Sequence, residues 1–555
     1  MIIIHSSRFV NAEFEAEIGL IPPCMLPIGN KKMLELQVAN FKKQFPHEKI
    51  IVTLPKTYKL TINEQAVIKE LGVSVQRICD DLSFSEAILY LLNVEAENGD
   101  DTVRILQGDR LLNDIPDATD CIAIAGACRQ SDWYDRYQRQ DNESRWLGYF
   151  AFASKTNLVK SLALSSKSFP AALAHYQDSR SLSEVQPANW YNCSHVNSYF
   201  EARSSITTQR SFNALTIESG VVTKTSDNDV KIQAEVYWFN NLPASLRRFT
   251  PQFIDSGRLQ DGVTTYYCLE FLPVMPLNEL YVHGRNPRWF WQRIFSLTKD
   301  YFAIAANPAS LTKLNSASFE AALDNCLEDL YRKKTLGRLT TYQESSQIDL
   351  SAPIFYQGIE LGSILDIAND CINQVLKLPR CPTVMHGDLC FSNILFDSRG
   401  GRLKLIDPRG LDCHNNFSIF GDTSYDLAKL AHSVIGMYDF IIAGRFEILP
   451  DEQSGGQSRI IHFDIDERLA QIQDDFLATE FISGIEVGDI MPAVVLLFLS
   501  MLPLHADRPD RQKAMLINAY RLYKTYVYQG QNQKTVAFRK LPLNEQIYNN
   551  EVLEG

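Results

Sequence analysis

The stretch VMHGDLCFSNILFD, Val384–Asp397, sets His386, Gly387 and Asp388 side by side, leaves four residues, and places Asn393 before an apolar run. A second short run, LKLIDPRG, follows and carries Asp407. Transfer of a phosphoryl group demands charge neutralisation on nucleotide phosphates, in-line positioning, and a group that accepts the proton of the attacking hydroxyl. The two runs offer a candidate for each demand. Asp388, in a loop, is the candidate to orient a hydroxyl and take its proton. Asn393 has enough chain before it to turn back and offer its side-chain oxygen to a cation. Asp407, at the end of the next strand, is the second candidate ligand of that cation.

With this interval and the IDPRG run after it, the segment resembles the aminoglycoside phosphotransferase and choline kinase family, relatives of protein kinases. The catalytic loop of that family reads HGD-x4-N, and its metal-binding Asp lies in an I-D motif. The resemblance implies an α+β bilobal protein-kinase-like domain that uses ATP and Mg2+. It makes His386 a loop-organising residue, Asp388 the hydroxyl-orienting base, and Asn393 and Asp407 the metal ligands. It also implies a strand lysine on the phosphates and a helix glutamate that holds it. Lys224 in GVVTKTS and Glu235 in the next helix stand in that order. Glu270 and Leu272, within CLEFLP, resemble the lobe-connecting hinge whose backbone meets adenine. In GDTSYDLAKLAHS, from Gly421, Asp426 takes a structural role. The family's glycine-rich phosphate loop is missing, and RSFNALTIESG, from Arg210, occupies its place. The resemblance spans roughly residues 206 to 530.

The first part of the chain reads differently. MIIIH and KIIVTL are short buried strands, KKMLELQVANFKKQF is an amphipathic helix between them, TVRILQGD is a strand ending in a polar turn, and GYFAFAS adds another. Alternation of this kind predicts a layered α/β domain with a mostly parallel sheet. PPCMLPIGNKKMLELQ, from Pro22, and ILQGD resemble segments of the sugar-nucleotidyltransferases, whose Rossmann-like fold holds magnesium between reacting phosphates with two carboxylates. Asp109 matches the first carboxylate, and Lys31 or Lys32 is a candidate phosphate contact. The departures are large. HSSRFVNAEFEAEIG replaces the glycine loop that brings backbone amides to a triphosphate. No lysine precedes the PMLP-like segment, and Asn192 in WYNCSH stands where the second carboxylate is expected. Arg8, Glu13 and Glu17 read either as a different active-site loop or as a solvated acidic face.

Between these regions SFNALTIES, GVVTKTS and TTYYCLEFLP read as antiparallel strands. The helix KIQAEVYWFNNL interrupts them with Ile232, Val236, Phe239 and Leu242 on one face, capped by Asp227 or Asp229. Beyond about residue 285 the chain reads as helical apart from NILFD and LKLID, with DEQSGGQS, from Asp451, as a surface loop.

At 555 residues the chain exceeds one ordinary core of about 100–200 residues. The expected organisation is an α/β nucleotidyltransferase-like domain over 1–205, a kinase-like N-lobe over 206–275 and a helical C-lobe over 276–555. A formal charge of −12 argues against nucleic acid as a partner and for a small molecule. The expected partners are a sugar- or polyol-type hydroxyl acceptor and, at the first domain, a nucleoside triphosphate or sugar phosphate. The eleven cysteines show no CxxC pair and read as reduced and packed. MIIIHSSRF lacks the long apolar region of a secretion signal. MPAVVLLFLSMLPL is shorter than the roughly 20 residues of a membrane span and reads as a buried helix. The expected compartment is the cytoplasm, with no integral membrane segment. Two rivals remain: a bifunctional kinase and nucleotidyltransferase, and a non-catalytic nucleotide-binding scaffold.

Overall fold

The computed structural model describes residues 1–95, 101–125, 146–165, 167–207, 213–226, 228–259, 262, 264–306, 317–454, 456 and 458–528. They form two compact units. The first is Met1–Lys224 with Phe271–Met275 and Glu279–Asn286; the second is Thr225–Glu270 with Pro276–Asn278 and Pro287–Gly555.

The first unit is built on a seven-stranded sheet. In sheet order its strands are Ser183–Val185, Cys121–Ile124, Trp146–Phe152, Val103–Gln107, Ile2–His5, Ile50–Pro55 and Ser74–Ile78. Ile2, Ile3 and Ile4 have no exposed surface, as an apolar run must when both sheet faces are covered by helices. Ile2–His5 runs parallel to both neighbours, while Trp146–Phe152 runs antiparallel to both of its own. The mostly parallel expectation therefore stands with one reversed strand. The helices Ile62–Leu71 and Phe84–Val94 begin at reciprocal caps, Thr61 with Glu64 and Ser83 with Glu86, which satisfy backbone donors at each start.

The second unit opens with the helix Asp229–Asn241, followed by the antiparallel strands Phe253–Arg258 and Thr265–Glu270. Ile232, Phe239 and Leu242 are buried as expected, together with Glu235 and Trp238, whereas Val236 is only half-buried. Asn228 caps it by accepting from the Lys231 amide, whereas Asp229 accepts from the Thr265 hydroxyl. Asp227 lies outside the described residues, as do Arg210–Phe212.

The helical remainder surrounds Val487–Met501, which packs against Lys334–Ser346, Ile364–Val375, Thr423–Val434 and Pro509–Leu522. A helix apolar on all sides belongs inside a core, and Ile490, Val494, Val495 and Phe498 are fully buried. The stretch Val487–His505 is long and apolar enough to cross a membrane by composition, yet 72% of it is buried within the protein. The segment from Asp451 is not simply a surface loop. Asp451 is buried and accepts from the Gln357 amide and the Ser458 hydroxyl at the tip of the hairpin Glu447–Pro450 and Arg459–His462.

One cysteine expectation fails. Cys326, on the helix Ala317–Glu328, and Cys413 are joined in a disulfide 87 positions apart in sequence, while His414 lies beside them. Among the described residues eight other cysteines are free thiols, most of them buried.

Candidate active site

The strand Pro382–Val384 delivers the HGD loop, and Ile394–Asp397 with Arg402–Leu405 forms the hairpin that leads to Asp407. His386 is fully buried and its ring ties the two segments together. Nε2–H donates to the Ile406 carbonyl at 3.0 Å, and Nδ1 accepts from the Asp388 amide at 3.3 Å. That pairing requires the neutral ring, and burial pushes His386 down to about 4. Trp238, from the helix that bears Glu235, donates to the Met385 carbonyl at 2.8 Å and meets the His386 ring edge-on.

Asp426 is fully buried beneath the loop, accepting from the His386 amide at 2.7 Å and the Gly387 amide at 2.8 Å. Gly387 has φ +81°, and a Cβ there would stand 2.7 Å from that of Arg409. The loop thus curls too tightly for any other residue.

Asp388 projects from this frame. Its Oδ1 lies 2.9 Å from the Lys429 ammonium and its Oδ2 accepts from the Asn393 amide nitrogen at 3.1 Å. Burial opposes its charge, but Lys429 carries the carboxyl down to about 2, so it is ionised throughout the physiological range. Asn393 also donates to the Asp388 carbonyl at 2.9 Å, which fixes the amide with its oxygen turned from Asp388. Among the described residues that oxygen has only a 3.4 Å contact from Ser392 Oγ. The Ile406 amide donates to the Asn393 carbonyl, placing the next residue, Asp407, beside Asn393 along the hairpin. Asp407 has φ +57°, a left-handed conformation uncommon outside glycine and concentrated at functional sites. Its charge reaches both His386 and Tyr267, and the Tyr267 hydroxyl donates to Glu235 Oε2 at 2.5 Å. An Asn oxygen and a half-buried carboxylate are hard oxygen donors of the kind magnesium takes.

The structure thus brings Asp388, Asn393, Asp407, His386 and Asp426 together, with Glu235 behind Tyr267. Lys224 is buried on Val221–Ser226 as the last residue of the first unit before the division. Glu270 ends the strand Thr265–Glu270, its amide donating to Gln252, and Leu272 falls in the short segment grouped with the first unit. Sequence reasoning missed Lys429 and Arg409. Both lie inside the motifs quoted above, and the Tyr425–Lys429 interval of one helical turn was the available signal.

In the first unit the backbones of Asp109 and Asn192 run on neighbouring segments. The strand Trp190–Asn192 pairs with Arg110–Leu112, and the Cys193 amide donates to the Asp109 carbonyl. Asn192 spends its side-chain oxygen on the Ser194 amide at 2.9 Å. Lys32 does not project toward a ligand; it is buried in an ion pair with Glu64 at 3.0 Å, which Arg285 also contacts. Glu13 is exposed and Arg8 donates to the Leu82 carbonyl, whereas Glu17 is buried and so is not part of a solvated acidic face.

No family model matches the chain, and no curated protein does. Solved structures resemble parts of it. A nucleoside-diphosphate-sugar pyrophosphorylase from Vibrio cholerae RC9 is 13% identical with a TM-score of 0.29, covering 36% of this chain and 98% of its own. A choline/ethanolamine kinase family protein from Mesorhizobium loti is 11% identical with a TM-score of 0.33, covering 57% of this chain and 87% of its own. A thermostable mutant of aminoglycoside phosphotransferase APH(4)-Ia, solved with ADP and hygromycin B, is 12% identical with a TM-score of 0.30, covering 60% and 100% respectively. The neighbours include both groups whose motifs the sequence resembles.

A pH dependence follows from two buried imidazoles in this unit. His432 lies between Phe498 and Tyr438, and neither ring nitrogen has a hydrogen-bond partner among the described residues. Burial holds it neutral, as it does His386. The unfolded ring gains a proton near 6.5 while the folded ring does not, so stability is full above pH 6.5 and falls as pH drops toward the folded values. His432→Phe should flatten the fall in urea midpoint below pH 6.5. It should also raise the midpoint at neutral pH by the equivalent of about 1 kcal/mol, since an unpaired polar group is removed.

Proposed function

We propose that residues 206–555 are an ATP- and Mg2+-dependent kinase that phosphorylates a hydroxyl of a sugar, sugar acid, polyol or amino alcohol. The observation that carries this reading is Asp388 held ionised against Lys429, with its neighbours Asn393 and Asp407 offering oxygen on the same hairpin. In this reading residues 206–275 are the N-lobe and 276–555 the C-lobe. Lys224 binds phosphates, Glu235 is its partner, and Glu270 and Leu272 border adenine. Asn393 and Asp407 would hold magnesium, which would supply charge neutralisation on the phosphates. Asp388 accepts the hydrogen bond of the acceptor hydroxyl, aims its lone pair, and takes its proton as the new P–O bond forms. His386 and Asp426 keep the loop in shape without touching substrate.

Residues 1–205 form a nucleotidyltransferase-like domain of reduced or altered activity, since Asn192 is neutral where a second carboxylate would hold the metal. The pairing of the two domains suits a cytoplasmic role in building capsule or cell-surface glycan precursors. The test is magnesium-dependent ADP release from ATP, with mass detection of product, across sugars, sugar acids, polyols and amino alcohols. Nucleoside-diphosphate product and pyrophosphate, formed from a nucleoside triphosphate and the phosphorylated compound, would favour the bifunctional form. Lys429→Met gives a sharper check on Asp388. Without the ammonium its pKa should climb from about 2 toward the ordinary carboxylate range, moving the acid limb of kcat/KM to higher pH. An unmoved limb would count against Asp388 as the base.

A further inference from the structure

Four cations gather around one buried tyrosine beside Asp388. Arg409 donates to the Tyr425 hydroxyl at 2.9 Å and its guanidinium lies 4.8 Å from the Tyr425 ring centre. Lys429, one helical turn beyond Tyr425, stands 6.0 Å from the same ring. Tyr331 packs on the Tyr425 ring with centroids 6.2 Å apart, and Lys334 and Arg338, one turn apart, follow it along the same helical run at three and seven positions, so both fall on the side of Tyr425. Among the described residues carboxylates do not balance them. Asp388 is matched by Lys429, and Asp426 is spent on two backbone amides. Arg338 has the Ser500 carbonyl as its hydrogen-bond acceptor, and Lys334 makes no hydrogen bond or ion pair among the described residues.

Lys334 and Arg338 are half-buried, and holding cations together with no carboxylate between them is unfavourable in a chain whose net charge of −12 leaves carboxylates to spare. The helix is also deformed where Lys334 emerges. Over Asp329–Lys333 its hydrogen bonding widens to i→i+5, an insertion found mostly at functional sites. A cationic amine acceptor would be repelled here.

We propose that Lys334 and Arg338, with Arg409 and Lys429, form a binding site for an anionic group on the phosphoryl acceptor, so that the substrate is a sugar acid or an already phosphorylated sugar. This inference rests on the kinase reading above and narrows its acceptor class. Lys334 and Arg338 would grip the carboxylate or phosphate, leaving the hydroxyl to Asp388.

The test compares a neutral hexose, the matching hexuronate and the matching hexose phosphate as acceptors, with wild-type protein and the Lys334→Met/Arg338→Met double variant. ATP affinity and binding of inorganic phosphate are measured by calorimetry, and retention of fold by circular dichroism. The expected result is a preference for one of the two anionic sugars. The double variant should lower its kcat/KM by about ten- to a hundredfold, mostly through KM, and weaken phosphate binding by a similar factor. Which of the two is preferred distinguishes carboxylate from phosphate. Preference for the neutral hexose would overturn the anion site while leaving the kinase standing. A folded variant that loses ATP affinity instead would assign the cations to the nucleotide, overturning the proposal. Phosphate binding that depends on both residues, without ADP formation from any acceptor, would support the anion site and defeat the kinase reading.

Discussion

Asp388→Ala is expected to lower phosphoryl transfer by roughly a hundred- to ten-thousandfold, the usual worth of a positioned general base. ATP affinity should change little, because the nucleotide is assigned to Asn393, Asp407 and Lys224. The substitution also strands Lys429, whose side chain is only 14% exposed. Removing the partner of a buried charge is costly, although the Asp388 side chain is itself 43% exposed, which keeps the loss below that of a fully buried pair; lost activity alone could still reflect lost fold. Asp388→Asn meets that objection: it keeps an oxygen for Lys429 and the shape of the loop, yet cannot take a proton. Both variants should fail in turnover while Asp388→Asn keeps most of its thermal midpoint. Asp407→Ala should differ from both by weakening magnesium-dependent nucleotide binding, since it removes a charge from the cation. Undiminished turnover in Asp388→Asn would refute the assignment of the base.

Gly410→Ala should be the most damaging single methyl group in the second unit. Gly410 follows Arg409 at φ +64°, and a Cβ there would fall 2.0 Å from the Ala234 carbonyl oxygen. Ala234 adjoins Glu235 on the helix Asp229–Asn241. The clash is with backbone, so relief means moving the helix that carries Glu235 and Trp238 away from the IDPRG turn. Gly444 provides the control: it has φ +71°, and a Cβ there would meet nothing within 4 Å. Gly444→Ala should cost about 1–2 kcal/mol, the left-handed penalty alone. Gly410→Ala should cost several kcal/mol beyond that and reduce transfer with it. Equal urea midpoints for the two variants would mean that the helix is not fastened at this point.

The frame of the candidate site was legible because its residues are close in sequence. From His386 to Arg409 the chain needs one hairpin to assemble the loop, Asn393 and Asp407, and the spacing of the two runs encodes that hairpin. The sheet of the first unit was legible for a related reason: isoleucine runs such as Ile2–Ile4 have few destinations other than a covered strand. Other features lacked any local signal. Lys334 and Arg338 are ordinary charges on a polar-looking helix, and only tertiary folding sets them near Tyr425. Asn228 was passed over as a cap because two aspartates flank it, and the winner depended on Asp229 being drawn to Thr265. The burial of Lys32 with Glu64 could not be read from a lysine pair at a helix start.

The Cys326–Cys413 bond has a topological consequence. The chain between its ends is a closed ring, and Lys334, Arg338, Asp388, Asn393, Asp407 and Arg409 all lie on it; Tyr425, Asp426 and Lys429 lie outside. Closing a ring of that length removes about 4–5 kcal/mol of unfolded-chain freedom in the loop-entropy description. Thiol reductants should therefore lower the stability of the second unit as a whole, since the helix bearing Lys429, although outside the ring, is tied to it by the Asp388–Lys429 pair and by Asp426 on the loop amides.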